Sequence, residues 1–301
     1  MSAMKKFVTL TLLSLLFVGG AQAQLLYKIS GKGLEKESYI IGTYHLAPAS
    51  FADDIKGANE ALEYVDAVCG ELDMRGINNA NMALAEAMML PDGQYITDLL
   101  TDEQLTRLNG YMRETLGMDF NNPMCKNLMG RYRPSALAMS IEMAVYMKMT
   151  PGFNPTKLID SYFQEEALKQ GKRVLGLESV EFQVKTLFAE SPIEEEIEDL
   201  MKVVDNPEAS HEAMKALAEA YFAQDIKAIT KCVTADMDCP LEESEEWARV
   251  CTNRNRNWVA QMPQIMNEGS TLFVVGAAHL IGKDGVVALL KKQGYKVKAV
   301  K

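Results

Sequence analysis

Two short stretches near opposite ends of the chain share one pattern: an apolar, β-branched run breaks at a glycine and delivers a histidine three residues later. They are 38–46, SYIIGTYHL, with Gly42 and His45, and 272–285, LFVVGAAHLIGKDG, with Gly276 and His279. Each run suits a buried strand, and each glycine allows a sharp exit or a close backbone approach. Two histidines leaving strand ends in the same local frame are placed to converge on one site. The rest of the chain is read around that constraint.

The intervening pattern supplies a sheet for those strands. Segments 25–30 and 38–43 flank Gly31-Lys32-Gly33, which reads as a β-hairpin. Residues 53–64 have helical spacing, and 67–72, AVCGEL, reads as another buried strand, so strand, helix, strand predicts a βαβ unit and a parallel sheet. From 78 to about 189 the chain is mainly helical. Thr101 and Gln104 have the spacing of a capping box, and Pro134 opens a helix through Met149. Met139, Met143 and Met147 form one stripe along it, read as core packing by adaptable thioethers or as the wall of a substrate groove. A helix over 155–170, closed by Gly171, leads to a third strand over 173–178, RVLGLE.

Farther on, Ser191, Pro192 and Glu194 suit the cap, first and third positions of a helix. The acidic cluster 194–199 reads as its solvated first turn. His211 reads as a surface histidine on a helix running to about Ile229. A long helix over 242–266 carries Arg254 and Arg256, a fourth strand covers 272–275, a helix 284–293, and a closing strand 295–300. The expected fold class is α/β: a mostly parallel central sheet with flanking helices, an N-terminal β-hairpin and a large helical insertion. The expected organisation is a single domain over 24–301, with the insertion at about 78–170.

Residues 1–23 are expected to stand apart as a signal peptide. Lys5 and Lys6 precede an apolar core of about 12 residues, short for a membrane span of about 20, and Ala21-Gln22-Ala23 is a small-x-small cleavage site. Cleavage after Ala23 implies a periplasmic or secreted protein with no stable membrane insertion. The net charge of −10 becomes more negative once those lysines leave, which argues against nucleic acid as a partner. Export permits disulfides, and five cysteines leave one unpaired; a bridge among Cys232, Cys239 and Cys251 is expected from their proximity, with Cys69 a packed thiol.

The chemistry is expected at the strand ends: Gly42-x-x-His45, Gly70-Glu71, Gly176-x-Glu178 and Gly276-x-x-His279. In open parallel sheets, ligands bind beyond the carboxyl ends of the strands. Parallel neighbours would bring two imidazoles and two carboxylates together there. Two histidines and a carboxylate with an open position make a workable divalent-metal site, and a second carboxylate could act as general base. Capping or arginine pairing is the structural alternative for each glutamate. An arginine such as Arg254 brought to the crevice would orient a carboxylate. The chain lacks His-Glu-x-x-His, Gly-x-Ser-x-Gly, Walker and Gly-x-Gly-x-x-Gly signatures.

These residues resemble the TraB/GumN family, related to the TIKI proteins. The carriers are LLYKISGKGLEKESYIIGTYHL at the start, GKRVLGLESVEFQ in the middle, Arg254-Asn255-x-x-Trp258, and VVGAAHLIGKDGVVALLKKQGYKV at the close. The resemblance implies an α/β fold shared with erythromycin-esterase-like and ChaN-like proteins. TIKI relatives are described as metal-dependent peptidases, other members are tied to peptide-pheromone shutdown, and ChaN-like relatives bind haem. Carried over, His45 and His279 would ligate a divalent ion (Mn, Co or Zn) with Glu71 as ligand or base, and Glu178 and Arg254 would be supporting catalytic residues. The expected function is an exported metal-dependent hydrolase, a peptidase on peptide or protein substrates; the alternative is a non-catalytic peptide- or haem-binding protein.

Overall fold

The computed structural model describes residues 24–301 apart from 74, 76–81, 83, 190–191, 236 and 238. The expected signal peptide and the Ser191 cap lie outside the described residues. Six strands form one sheet: β1 (Leu26–Ser30), β2 (Ser38–Thr43), β3 (Ala67–Gly70), β4 (Arg173–Gly176), β5 (Thr271–Gly276) and β6 (Lys296–Ala299), in the order β4-β3-β5-β2-β1-β6. β4, β3, β5 and β2 are parallel, while β1 runs antiparallel to both β2 and β6. The hairpin forms as expected, its turn taken at positive φ by Gly31, Lys32 and Gly33.

The late strand β5 inserts between β2 and β3, and this places the two histidine-bearing strand ends side by side. Register levels the ends: Thr43 pairs with Gly276, and Gly70 with both Val274 and Gly176. Neighbouring residues on each strand face opposite cores. Leu272 and Val274 join one cluster with Ile41 and Val68, while Phe273 and Val275 join another with Ile40 and Cys69. Burial on both faces explains why these strands read as unbroken apolar runs.

The principal helices are α1 (Ala58–Tyr64), α2 (Asp102–Leu116), α3 (Pro134–Met149), α4 (Ile159–Lys169), α5 (Ile193–Asp205), α6 (Pro207–Phe222), α7 (Ile226–Val233), α8 (Asn253–Glu268) and α9 (Val286–Lys292). Residues of α1, α4, α6 and α7 pack on one face of the sheet, and those of α8 and α9 on the other. A third core, built by Leu108 and Met112 of α2, Leu137 and Ile141 of α3 and Leu200 of α5, holds a helical layer together.

Several expected elements shift for identifiable reasons. The helix expected over 53–64 begins only at Ala58, because Gly57 turns left-handed (φ 82°) and Ala49–Asp54 winds as a 3-10 turn instead. The helix expected to reach Ile229 breaks after Phe222, where Gln224 takes φ 55° and Asp225 caps α7 through the amides of Lys227 and Ala228. The capping box at Thr101 and Gln104 is present in full. The acidic cluster is not all solvated. Glu196 turns inward, pairs with Arg133 and accepts hydrogen bonds from the amide and hydroxyl of Ser135.

The bridge expected among Cys232, Cys239 and Cys251 is not formed; all five cysteines are free. Cys232 packs toward the sheet core, Cys251 is buried in a separate cluster with Trp247 and Ile281, and Cys239 is exposed, so proximity in sequence does not give a common direction. Cys69 is the packed thiol expected, pushed up to about 12 by burial. Among the described residues no helix is long and apolar enough to cross a membrane.

Candidate active site

Three of the four strand-end glycines, Gly42, Gly70 and Gly176, are demanded by close packing rather than by unusual backbone angles. A Cβ on Gly42 would lie 2.7 Å from Leu280 Cδ1 and 3.0 Å from Ala277 Cα, and one on Gly176 would lie 2.6 Å from the Asp73 nitrogen. Neither glycine has a positive φ. Without side chains here, the segments leaving β2, β3, β4 and β5 press together, and what they carry is brought within bonding distance.

Glu71 leaves β3, Glu178 leaves β4, and His279 sits on the turn after β5. Arg254, the second residue of α8, enters from the sheet face that α8 covers, and all four are buried or nearly so. Arg254 Nη2 donates to Glu71 Oε2 at 2.6 Å and to Glu178 Oε1 at 2.5 Å, and Nε donates to Glu178 at 3.1 Å. Gln183 Nε2 donates to both carboxylates at 3.0 Å. Trp258 Nε1 donates to Glu178 Oε2 at 3.0 Å, and the Gly276 amide to Glu71 Oε1 at 2.8 Å. The fork of a guanidinium is the shape that satisfies two carboxylates at once.

His279 is anchored in the same network. Its Nδ1 lies 2.6 Å from Asn255 Oδ1, and its Nε2 lies 3.2 Å from Arg254 Nη1 and 3.8 Å from Glu71 Oε1. Because Arg254 only donates, Nε2 must carry the lone pair and Nδ1 the proton that goes to Asn255. The ring packs on Trp258 with centroids 4.3 Å apart, and Arg254 lies 4.8 Å over the same indole. Burial lowers His279 to about 4, so it is neutral at pH 7. Burial alone would raise the Glu71 carboxyl, but His279, once protonated at acid pH, together with Arg254 and His45 holds it well below the usual carboxylate range. Arg254 is the one of these whose charge persists at every working pH.

His45 behaves differently. It stands at the end of β2 with 74% of its side chain exposed, and its Nδ1 lies 3.2 Å from Asp160 Oδ1. Asp160, in the first turn of α4, accepts from Thr43 Oγ1 at 2.5 Å, so β2 supplies both the histidine and the hydroxyl that steadies its partner. The charge and hydrogen bond of Asp160 raise the imidazole to about 9. The other Asp160 oxygen, Oδ2, is buried without a hydrogen-bond partner.

The structure therefore joins four of the five expected residues, Glu71, Glu178, Arg254 and His279, in one bonded network, and sets His45 beside it on a separate pair. Among the described residues no three histidine, cysteine, aspartate or glutamate side chains converge to hold a metal. The expected ligand set of His45, His279 and Glu71 does not fit the ion: Arg254 takes the lone pair of His279 and an oxygen of Glu71, and its positive charge occupies the place between them. Arg256, by contrast, lies on the surface against Asp284 at 3.5 Å.

Sequence reading assigned no site role to Asp160, Gln183, Asn255 and Trp258. Asn255 and Trp258 were within reach of it, since positions one and four beyond Arg254 flank it on a helix. Asp160 carries no local signal, because its partner Thr43 is 117 residues away.

No curated protein and no solved structure matches the chain. The family model described as the TraB/PrgY/gumN family matches residues 25–299, from the first strand of the hairpin to the last strand of the sheet. By that match over nearly its whole length, the chain belongs to the TraB/PrgY/gumN family.

Proposed function

We propose that the chain is an exported hydrolase acting on peptide or protein substrates, with His45 as the group that meets the substrate. The observation that carries this reading is the exposed pair just beyond the end of β2. Asp160 holds Nδ1 of an exposed His45, Thr43 holds Asp160, and Nε2 has no partner among the described residues. An imidazole so oriented accepts a proton from water when neutral and donates one to a leaving amine when charged. The proton affinity that Asp160 confers favours the charged, donating form at neutral pH. Glu71, Glu178 and Arg254 act here as positioning residues, since each is already bonded within the buried network.

A divalent ion (Mn, Co or Zn) is a second reading, favoured by the unpartnered Oδ2 of Asp160 beside His45. His45 and Asp160 are the residues that would hold the ion, which would supply Lewis-acid polarisation of a carbonyl.

The test is a peptide-library digest read by mass spectrometry. Wild type and His45→Ala would be compared, with and without chelation and with each ion restored. Cleavage that disappears in a folded His45→Ala supports the proposal, and dependence on one ion selects the second reading. Cleavage undiminished in that variant would overturn the assignment of His45. Binding of peptide or haem with no cleavage under any condition would replace the hydrolase by the binding-protein reading.

A further inference from the structure

Beside His45 the surface opens into a groove of about 930 Å³, at the upper end of the size of small-ligand pockets. It starts at Tyr44 and Leu46, the neighbours of His45 in sequence, and runs between α3, α5, α6 and α7. Met139 and Met143 of α3 and Met214 of α6 form much of its wall. The methionine stripe is thus not core packing. Met139 is 43% exposed and Met147 46%, whereas the helix buries Ile141 and Val145 on its other side. Unbranched thioethers make a wall that adapts to differing apolar side chains.

One carboxylate in that wall has no ion-pair partner among the described residues. Glu142 sits between Met139 and Met143 and accepts from Ser210 Oγ at 3.2 Å. The other charged lining residues, Asp199 and Lys202, pair with each other at 2.7 Å. His211 is turned to the hydroxyl of Tyr111, 3.3 Å from its Nε2, and reaches Glu142 through its charge at longer range rather than through a bond. Burial pushes the Glu142 carboxyl up, as it does for a carboxylate in apolar surroundings with too little compensation. An apolar wall with one carboxylate outside any ion pair is complementary to an apolar group that carries a cationic nitrogen nearby.

We propose that this groove is a specificity subsite that recognises a cationic nitrogen next to a large apolar side chain in a peptide, with Glu142 meeting the nitrogen and the methionines the apolar group. The inference rests on reading the adjoining cleft as that of a peptide hydrolase. The nitrogen belongs either to a basic side chain or to the peptide's own amino terminus, and the chemistry at Glu142 is the same for both.

The experiment measures binding and cleavage separately, on the full mature chain. Labelled octapeptides of serine and glycine carry Leu-Lys, Leu-norleucine or Ala-Lys, each with a free or an acetylated amino terminus. Their affinities for wild type, Glu142→Gln and Met143→Ala are read by fluorescence anisotropy, and their cleavage by mass spectrometry. Glutamine keeps an acceptor for Ser210, so Glu142→Gln is expected to remain folded. Norleucine for lysine, or Glu142→Gln, should weaken binding of the Leu-Lys peptide about ten- to hundredfold, the worth of a hydrogen bond to a charged group. The two changes together should do no more than either. If acetylation produces that loss instead, the nitrogen is the terminal amine. Met143→Ala should narrow the gap between Leu-Lys and Ala-Lys. Affinity indifferent to charge, an equal loss for charged and neutral peptides in Glu142→Gln, or no binding by any peptide overturns the subsite. Charge-selective binding without cleavage keeps the subsite and removes the hydrolase; cleavage blind to charge does the reverse.

Discussion

Arg254 is the residue on which the buried half of the site depends, because one guanidinium bridges Glu71 and Glu178 and also occupies the lone pair of His279. Its sequence context, a polar run Asn253-Arg254-Asn255-Arg256, would pass for a solvated helix face, but only Asn253 and Arg256 lie on one. Arg254→Met would leave two carboxylates buried without a cation, a change that costs about 3–5 kcal/mol. Urea denaturation should show that loss as a lower midpoint. Arg254→Lys should fall between, since it restores the charge and not the fork. Equal stability of wild type and Arg254→Met would mean that the network contributes nothing to the fold.

Glu196 does for the helical layer what Arg254 does for the strand ends. It sits in the first turn of α5, pairs with Arg133, and takes two hydrogen bonds from Ser135 at the start of α3. A carboxylate there also faces the positive end of α3. Its neighbours Glu194 and Glu195 are exposed or nearly so, and the three cannot be told apart from composition. Glu196→Ala removes the carboxylate that Arg133 and Ser135 share and should destabilise the protein by about 3 kcal/mol. Hydrogen exchange should quicken in the first turn of α3 before it does in the sheet. Unchanged protection there would show that another contact joins the two helices.

For the molecule as a whole, the buried neutral His279 predicts acid sensitivity of a definite sign. Its value is about 4 in the fold against 6.5 when exposed, so between those limits the unfolded chain binds the extra proton. Stability is therefore complete above about pH 6.5 and falls as the pH drops toward 4, by about 3 kcal/mol in all. Glu71, held low, adds a loss of the same sign only below its ordinary 4.5. His45, held high, acts above 6.5 and outside that window. Thermal melts across pH 4–7 should show a shallower slope for His279→Gln than for wild type. Glu142 slopes the other way but is common to both proteins, so the difference isolates His279.

What the linear chain determined by itself was local and periodic. Apolar runs that end in glycine specify strands, the capping box specifies the start of α2, and four like strand ends specify where a parallel sheet presents its chemistry. Strand patterning carries that much because a strand buried on both faces must be apolar throughout. Tertiary structure alone decided the partners. The insertion of β5 between β2 and β3 set His279 beside the end of β2, and α8 then delivered a guanidinium between the two glutamates. The long way round the chain brought Asp160 to His45, and α5, α6 and α7 made a groove wall of the methionine stripe. Which lone pair meets which proton depends on distances across the fold, and residues far apart in sequence leave no periodic trace of them.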